Sequence, residues 1–129
     1  MTKANVLVVE DNRTLRRLLE YRLGKHFEVR AAEHGERALE LVDERVPDLI
    51  VSDIMMPQMD GFALLAALRG RPETEAIPFI FLTAKIDDLT RQRGLKKGID
   101  DYLTKPFDID HLIGRVDQNG RAGGHREEG

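Results

Sequence analysis

Acidic residues follow two of the most apolar short runs in the chain. Glu10 and Asp11 come directly after Val6–Val9, and Asp53 closes the run that begins at Leu49. Carboxylates that meet at one point repel one another, so their pKa values rise unless a cation compensates them. Mg²⁺ suits such a site because it prefers oxygen ligands and keeps several of its waters. These acids therefore predict a magnesium site, provided that the two runs lie side by side.

A hydroxyl and an amine follow two later runs. Thr83 ends the run Pro78–Leu82, and Lys105 comes directly after Tyr102–Thr104. Phosphoryl transfer to an aspartate needs a carboxylate nucleophile, and it needs positive groups and donors against the charge on the transferred oxygens. The types of residue at these strand ends therefore predict phosphoryl transfer to Asp53.

Each of these residues taken singly also has an ordinary structural interpretation. Asp11 precedes a helical stretch and is as well placed to cap it as to bind a metal. Asp53 precedes a proline-containing loop, where a turn role is common. Glu10, Thr83 and Lys105 are each typical of a strand end or a solvated surface. Their joint placement favours the chemical interpretation, because five such residues at one sheet edge are improbable by chance.

The predicted elements place these residues together. Apolar runs indicate strands at 6–9, 27–31, 49–53, 78–83 and 102–104, and helical spacing indicates helices at 14–25, 35–45, 61–69, 87–97 and 109–116. Asp60 and Asp108 are predicted to cap the third and fifth helices, and Gly98 to end the fourth. Strict alternation implies a doubly wound parallel α/β sheet, commonly of order 2-1-3-4-5. Ligands bind such sheets beyond the carboxyl ends of the strands.

Composition limits the other classes of function. The net charge of -3 gives no reason to expect direct binding to nucleic acid or to an anionic membrane. The absence of cysteine excludes disulfides, thiolate metal sites and cysteine nucleophiles. No apolar run approaches the length of a membrane span and no signal peptide is visible, which favours a cytoplasmic location.

The end of the chain differs in composition from the rest. Residues 1–116 carry all of the alternating pattern, whereas 117–129 hold Gly120, Gly123 and Gly124 among charges. Such a segment is typical of a disordered tail or a linker. The last predicted helix is short, which fits a domain trimmed from a longer protein.

Four segments, in this order and spacing, resemble the receiver domains of bacterial response regulators. They are Val8-Val9-Glu10-Asp11-Asn12, Asp53 to Gly61 with Pro57 and Asp60, Leu82-Thr83-Ala84, and Asp100 to Phe107 with Lys105-Pro106. The resemblance covers about residues 4–116. It implies the flavodoxin-like version of the fold, with five strands and five helices. It also implies a signalling switch that catalyses its own phosphotransfer and dephosphorylation.

The resemblance implies a phosphoacceptor and a set of metal ligands. Asp53 would accept the phosphoryl group from a sensor histidine kinase or a phosphotransfer protein. Asp11, Asp53 and the Met55 carbonyl would bind Mg²⁺, and Glu10 would hold a metal-bound water. Met55 and Lys85 flank the path of the hydrolytic water in this family, and the apolar Met55 predicts slow self-dephosphorylation.

The resemblance also implies the parts of a switch. Lys105 would pair with the phosphoryl group and precede a cis bond to Pro106, and the Ala84 amide would be a further donor. Thr83 would move toward a phosphoryl oxygen, and Tyr102 would fill the space that it leaves.

A phosphorylation-dependent homodimer is a further implication. Arg91, Asp101 and Arg115 match charged positions on the dimer face of members with winged-helix output. His111 stands where those members usually carry an acid, which puts one of the expected ion pairs in doubt.

Three alternatives are weighed against this interpretation. A flavodoxin-like FMN binder needs a small-residue phosphate loop after the first strand, where Glu10 and Asp11 would repel a phosphate. A haloacid-dehalogenase-like phosphohydrolase needs a second acid where Arg13 stands. A degenerate receiver would only bind partners, and nothing in the sequence favours it.

Overall fold

The computed structural model describes residues 3–83 and 101–128, with the backbone alone for 121–128. Strands β1 to β5 and helices α1 to α4 alternate along most of the chain, as predicted. The strands are Asn5–Val9, Glu28–Ala32, Leu49–Asp53, Phe79–Thr83 and Asp101–Thr104. The helices are Arg13–Leu23, Gly35–Glu44, Gly61–Arg69 and Ile109–Glu128. The helix predicted at 87–97, with its stop at Gly98, lies outside the described residues.

All five strands are parallel and lie in the order β2-β1-β3-β4-β5, which confirms the predicted topology. Every residue of β1, β3 and β4 is buried. This burial explains why these strands are almost continuously apolar instead of alternating with polar residues, since helices cover both faces of the sheet.

Two apolar layers hold the sheet. One layer joins β1, β3 and β4 to α2 and α3, and Phe79 and Phe81 stack edge to face within it, 5.0 Å apart. The other layer joins the opposite faces of the same strands to α1 and α4. The ends of β1 and β3 are therefore fixed from both sides, which gives the residues that follow them a rigid support.

Polar side chains set the starts of two helices. Asn12 Oδ1 accepts a hydrogen bond from Leu15 N at 2.9 Å, so Asn12 caps α1. The capping role considered for Asp11 is therefore wrong. Asp60 Oδ1 accepts from Ala63 N at 2.8 Å and caps α3, which confirms the prediction.

The last helix is longer than predicted. It follows Asp108, the predicted cap, whose Oδ1 accepts from Asp110 N at 2.8 Å. It continues to Glu128, so the predicted end at Val116 is wrong. A glycine inside a helix costs about 1 kcal/mol and does not by itself end one. The assignment of 117–129 as a linker stays a prediction.

No helix in the described part of the chain combines the length and apolar composition that crossing a membrane requires.

Candidate functional site

Three carboxylates meet at the carboxyl ends of β1 and β3. Glu10 and Asp11 follow β1, and Asp53 is the last residue of β3. One oxygen from each carboxylate lies within 4.8 Å of the others. Glu10 is fully buried and Asp53 is 6% exposed, whereas Asp11 faces solvent. The structure therefore brings together the acids that the sequence singled out, and it leaves one side of the cluster open.

Strand register explains why the two buried acids converge. Val8 of β1 pairs with Val51 of β3. Glu10 and Asp53 each lie two positions beyond these partners, and side chains alternate between the faces of a strand. Both acids therefore point to the same face, on strands that are about 4.8 Å apart.

Lys105 brings its ammonium group to the buried pair. Nζ lies 2.9 Å from Glu10 Oε1 and 3.5 Å from Asp53 Oδ2. The backbone N–H of Lys105 donates to the carbonyl of Thr83 at 2.7 Å, which fixes the residue at the end of β5. The bond to Pro106 is cis, as the family resemblance implied. Lys105 is therefore part of the acidic cluster and not a surface lysine.

Electrostatics leave the cluster short of positive charge. Burial raises the pKa of Asp53; Lys105 opposes this shift and the charge of Asp11 adds to it. Burial also raises the pKa of Glu10, against the hydrogen bond from Lys105. Burial acts to lower the pKa of Lys105, but its bond to Glu10 and the charge of Asp53 outweigh burial and raise it. One lysine thus compensates the negative charge of three acids incompletely, and a bound cation would neutralise the remaining negative charge.

The acid cluster has dimensions that suit Mg²⁺. Ligand oxygens lie about 2.1 Å from the ion, so two direct ligands are at most about 4.2 Å apart. Three carboxylates within 4.8 Å fit two direct ligands and a third that acts through water. The Met55 side chain is 73% exposed at the start of the β3–α3 loop, and its carbonyl as a ligand stays a prediction.

The predicted switch residues lie on the neighbouring strands. Asp53 pairs with Leu82, so Thr83 is one position beyond that pair and is buried at the end of β4. Tyr102 on the edge strand β5 is 39% exposed. Their roles stay predictions. Ala84, Lys85 and Arg91 lie outside the described residues.

Three further residues support the site, and the sequence analysis predicted a supporting role for none of them. Asn12 N donates to Glu10 Oε2 at 3.1 Å, and Arg16 Nη1 donates to the Glu10 carbonyl at 3.0 Å. A Cβ atom built on Gly61 would lie 2.6 Å from the carbonyl oxygen of Asp53, so only glycine fits there without a shift. An asparagine before a helical stretch is a recognisable cap signal. The other two contacts depend on tertiary structure and leave no local signal.

A family comparison decides the assignment. The model of the response regulator receiver domain matches residues 6–117. The chain belongs to the response-regulator receiver family. Receiver domains are the parts of two-component systems that histidine kinases phosphorylate, so the family match confirms the predicted signalling class.

Several proteins are similar to this receiver domain. The phosphate regulon transcriptional regulatory protein PhoB of Rhizobium meliloti is 45% identical over 112 residues, covering 86% of this chain and 49% of that protein. The chain thus spans about half the length of that relative. An uncharacterised 14.6 kDa protein of Leptolyngbya boryana is 40% identical over 119 residues, covering 92% of this chain and 91% of that protein.

Solved structures give the same result. The signal receiver domain of a signal transduction histidine kinase from Syntrophus aciditrophicus superposes with a TM-score of 0.85 at 34% identity. The match covers 92% of this chain and 91% of that one. The family and the fold predicted from the sequence are both confirmed. Membership of this family also sets aside the FMN-binder and phosphohydrolase alternatives.

Proposed function

We propose that this receiver domain accepts a phosphoryl group on Asp53, with Mg²⁺ bound, from a sensor histidine kinase or a phosphotransfer protein. The observation that supports this most is the cluster itself. Asp53 lies among two further acids and 3.5 Å from the Lys105 ammonium, at the carboxyl edge of the sheet. A nucleophile with both metal-binding and cationic groups around it is equipped for phosphoryl transfer.

The chain's own acids would hold the metal. Asp11 and Asp53 would bind it directly together with the Met55 carbonyl, and Glu10 would act through a water. Mg²⁺, when bound, neutralises the clustered carboxylates and stabilises charge on the phosphoryl oxygens. Asp11 is the exposed member of the cluster, so its carboxylate can be reached from solvent.

The transfer exchanges one bond to phosphorus for another. A carboxylate oxygen of Asp53 attacks phosphorus, and the bond from phosphorus to the donor imidazole nitrogen breaks. The electron pair stays on that nitrogen, which takes up a proton. Lys105 pairs with an oxygen of the transferred group. Attack of water on phosphorus later releases inorganic phosphate and restores the Asp53 carboxylate.

Output is a shift between two arrangements of the domain. The phosphoryl group adds negative charge that Thr83 and Lys105 bind better in one arrangement than in the other. Movement of Thr83 opens space beside β4, which Tyr102 fills from the edge strand. The surface formed by β5 and α4 changes as a result.

A homodimer on that surface is a further consequence that the family resemblance implies. Arg115 Nη2 lies 3.0 Å from Asp101 Oδ1 within one chain. These two residues must therefore exchange or share this ion pair when a second copy binds. Mass measurement by light scattering, with and without a phosphoryl mimic, tests the dimer, and an unchanged monomer mass contradicts it.

Chemical phosphorylation tests the acceptor function without a kinase. Incubation with phosphoramidate and Mg²⁺, followed by intact mass spectrometry, should add one phosphoryl group to the wild-type protein. Asp53→Ala should add none, and chelation of Mg²⁺ should abolish the addition. Asp43→Ala is the matched control, because Asp43 is an exposed acid on α2 that pairs with Arg71. An unmodified wild-type protein would favour a degenerate receiver.

A further inference from the structure

The guanidinium of Arg16 contacts the backbone of the acidic loop and not its carboxylates. Nη1 of Arg16 donates to the carbonyl oxygen of Glu10 at 3.0 Å and lies 3.5 Å from that of Asp11. The Arg16 amide also donates to the Asn12 carbonyl at 2.9 Å. Arg16 is half-buried in the first turns of α1. Its guanidinium therefore faces two consecutive residues of the loop, and both of them are acids of the cluster.

These contacts restrain the residue whose side chain has the least support. The carbonyl of Glu10 belongs to the peptide plane before the Asp11 Cα, and the carbonyl of Asp11 belongs to the plane after it. The bond to the Glu10 carbonyl orients the first plane, and the longer contact with the Asp11 carbonyl restricts the second, so together they limit the backbone torsions of Asp11 and the direction of its Cα–Cβ bond. Glu10 has separate support, because its two carboxylate oxygens accept bonds from Lys105 and Asn12. Asp11 is exposed and depends on its backbone for direction.

We propose that Arg16 is a positioning residue for Mg²⁺ binding, acting through the backbone carbonyls of Glu10 and Asp11. This inference rests on the proposed function. Mg²⁺ demands near-octahedral geometry, whereas Ca²⁺ accepts flexible arrangements of six to eight oxygens. A loop that holds Asp11 in one direction therefore favours Mg²⁺ over Ca²⁺. Loss of the guanidinium should weaken Mg²⁺ binding more than Ca²⁺ binding.

Charge alone predicts the opposite result. A cation next to an acidic cluster repels a divalent ion, so simple removal of positive charge at Arg16 should tighten metal binding. Arg16→Lys keeps the charge but replaces the planar guanidinium, whose Nη1 lies near both carbonyls, with an ammonium group on a shorter side chain. Arg16→Met removes the charge and keeps most of the side-chain length. The two variants thus separate positioning from charge.

Titration of the full chain with Mg²⁺ and, separately, with Ca²⁺ tests the proposal. Isothermal calorimetry would give both affinities, and thermal unfolding without metal would give the stability of each variant. We expect both variants to bind Mg²⁺ about 10-fold more weakly, the usual effect of losing an outer-shell partner, with a smaller change for Ca²⁺. Arg17→Met, at the exposed neighbouring position, should match the wild type.

Three results would overturn the proposal. Unchanged binding by Arg16→Lys with tighter binding by Arg16→Met would show a charge effect only. If the affinities for Mg²⁺ and Ca²⁺ fall equally, in proportion to the loss of thermal stability, the role of Arg16 is merely structural. A wild-type protein that binds no Mg²⁺ would overturn the proposed function as well. If Arg16→Met does not fold, Arg16→Lys still decides through the ratio of the Mg²⁺ and Ca²⁺ affinities.

Discussion

The ammonium nitrogen of Lys105 lies 2.9 Å from Oε1 of Glu10, although 95 positions separate the two residues in the chain. Glu10 is fully buried, and its second carboxylate oxygen accepts the Asn12 amide. The ion pair therefore holds the lysine beside Asp53, the proposed phosphoacceptor, with Nζ 3.5 Å from Asp53 Oδ2. The family resemblance implies that Glu10 holds a metal-bound water. In this structure Glu10 also orients the Lys105 side chain.

Replacement of Asp53 by asparagine should stabilise the metal-free protein. Burial and the charge of Asp11 disfavour the Asp53 carboxylate, and Lys105 offsets this only in part. We expect Asp53→Asn to raise the free energy of unfolding by on the order of 1 kcal/mol, or the melting temperature by about 3–5 °C. The stabilisation of the wild type by Mg²⁺ should largely disappear in the variant. A variant less stable than the wild type would contradict the account of the cluster.

The stability that Asp53→Asn gains over the wild type should increase as the pH rises. The pKa of Asp53 is raised in the folded protein, so the folded state binds this proton more tightly than the unfolded chain does. Wild-type stability is therefore lost as the pH rises from about 4, the unfolded value, through the folded pKa. The difference between variant and wild type should be small near pH 4 and largest near neutrality. Chemical denaturation of metal-free protein across this range measures it, and a difference that shrinks as the pH rises would contradict the prediction.

Gly61 should be intolerant of a side chain. A Cβ atom there would lie 2.6 Å from the Asp53 carbonyl oxygen, 2.8 Å from the Phe81 ring and 3.0 Å from the Ile54 Cα. Because two of these neighbours are backbone atoms, we expect Gly61→Ala to cost about 1–3 kcal/mol. Gly114→Ala in α4 is the control, since among the described residues nothing outside the helix's own backbone and the adjacent residues lies within 4 Å of its added Cβ. That variant should gain up to about 1 kcal/mol of stability.

Equal stability of the two alanine variants in denaturant unfolding would contradict the packing at Gly61. The same experiment links packing to chemistry, since Gly61 also donates its amide to the Ile54 carbonyl at 2.8 Å. A shift there moves the backbone on the C-terminal side of Asp53. Phosphorylation of Gly61→Ala should therefore be slower than that of Gly114→Ala.

Met55 should control the lifetime of the phosphorylated protein. Its side chain is 73% exposed and apolar, so it cannot orient a hydrolytic water by hydrogen bonding. We expect decay over minutes or longer in Mg²⁺, and several-fold faster decay for Met55→Asn. Met55→Leu should decay like the wild type. The decay is measured as the loss of the added phosphoryl mass over time. Decay of the wild type within seconds would contradict this prediction.

The sequence predicted the strand ends well, because parallel strands buried on both faces leave long apolar runs. Asp53 and Thr83 end such runs, whereas Lys105 follows the short edge strand β5, of which only Leu103 is buried; topology then places all three at one edge. The partner of Lys105 could not be predicted, since the choice between Glu10 and Asp53 depends on side-chain reach across the folded sheet. The role of Asn12 carried a local signal, whereas Arg16 acts through carbonyls that the sequence does not mark.

The length of α4 shows a limit of predicting helix ends from glycine content alone. Gly120, Gly123 and Gly124 lowered the helix propensity enough to predict an end at Val116. Asn119 Nδ2 donates to the Arg115 carbonyl at 2.8 Å and lies 3.3 Å from Asp101 Oδ2, which ties the helix to β5 beyond that point. A tertiary contact of this kind offsets part of the cost of about 1 kcal/mol that each glycine adds to a helix.

The most direct test of the central claim is to locate the phosphoryl group in the chain. Borohydride reduces an acyl phosphate to an alcohol, so a phosphorylated aspartate becomes homoserine. After treatment with phosphoramidate and Mg²⁺, peptide mass spectrometry should find homoserine at position 53, and should not find it when Mg²⁺ is chelated. Homoserine at position 11, or at no position in a protein that binds Mg²⁺, would contradict the assignment of Asp53 as the acceptor.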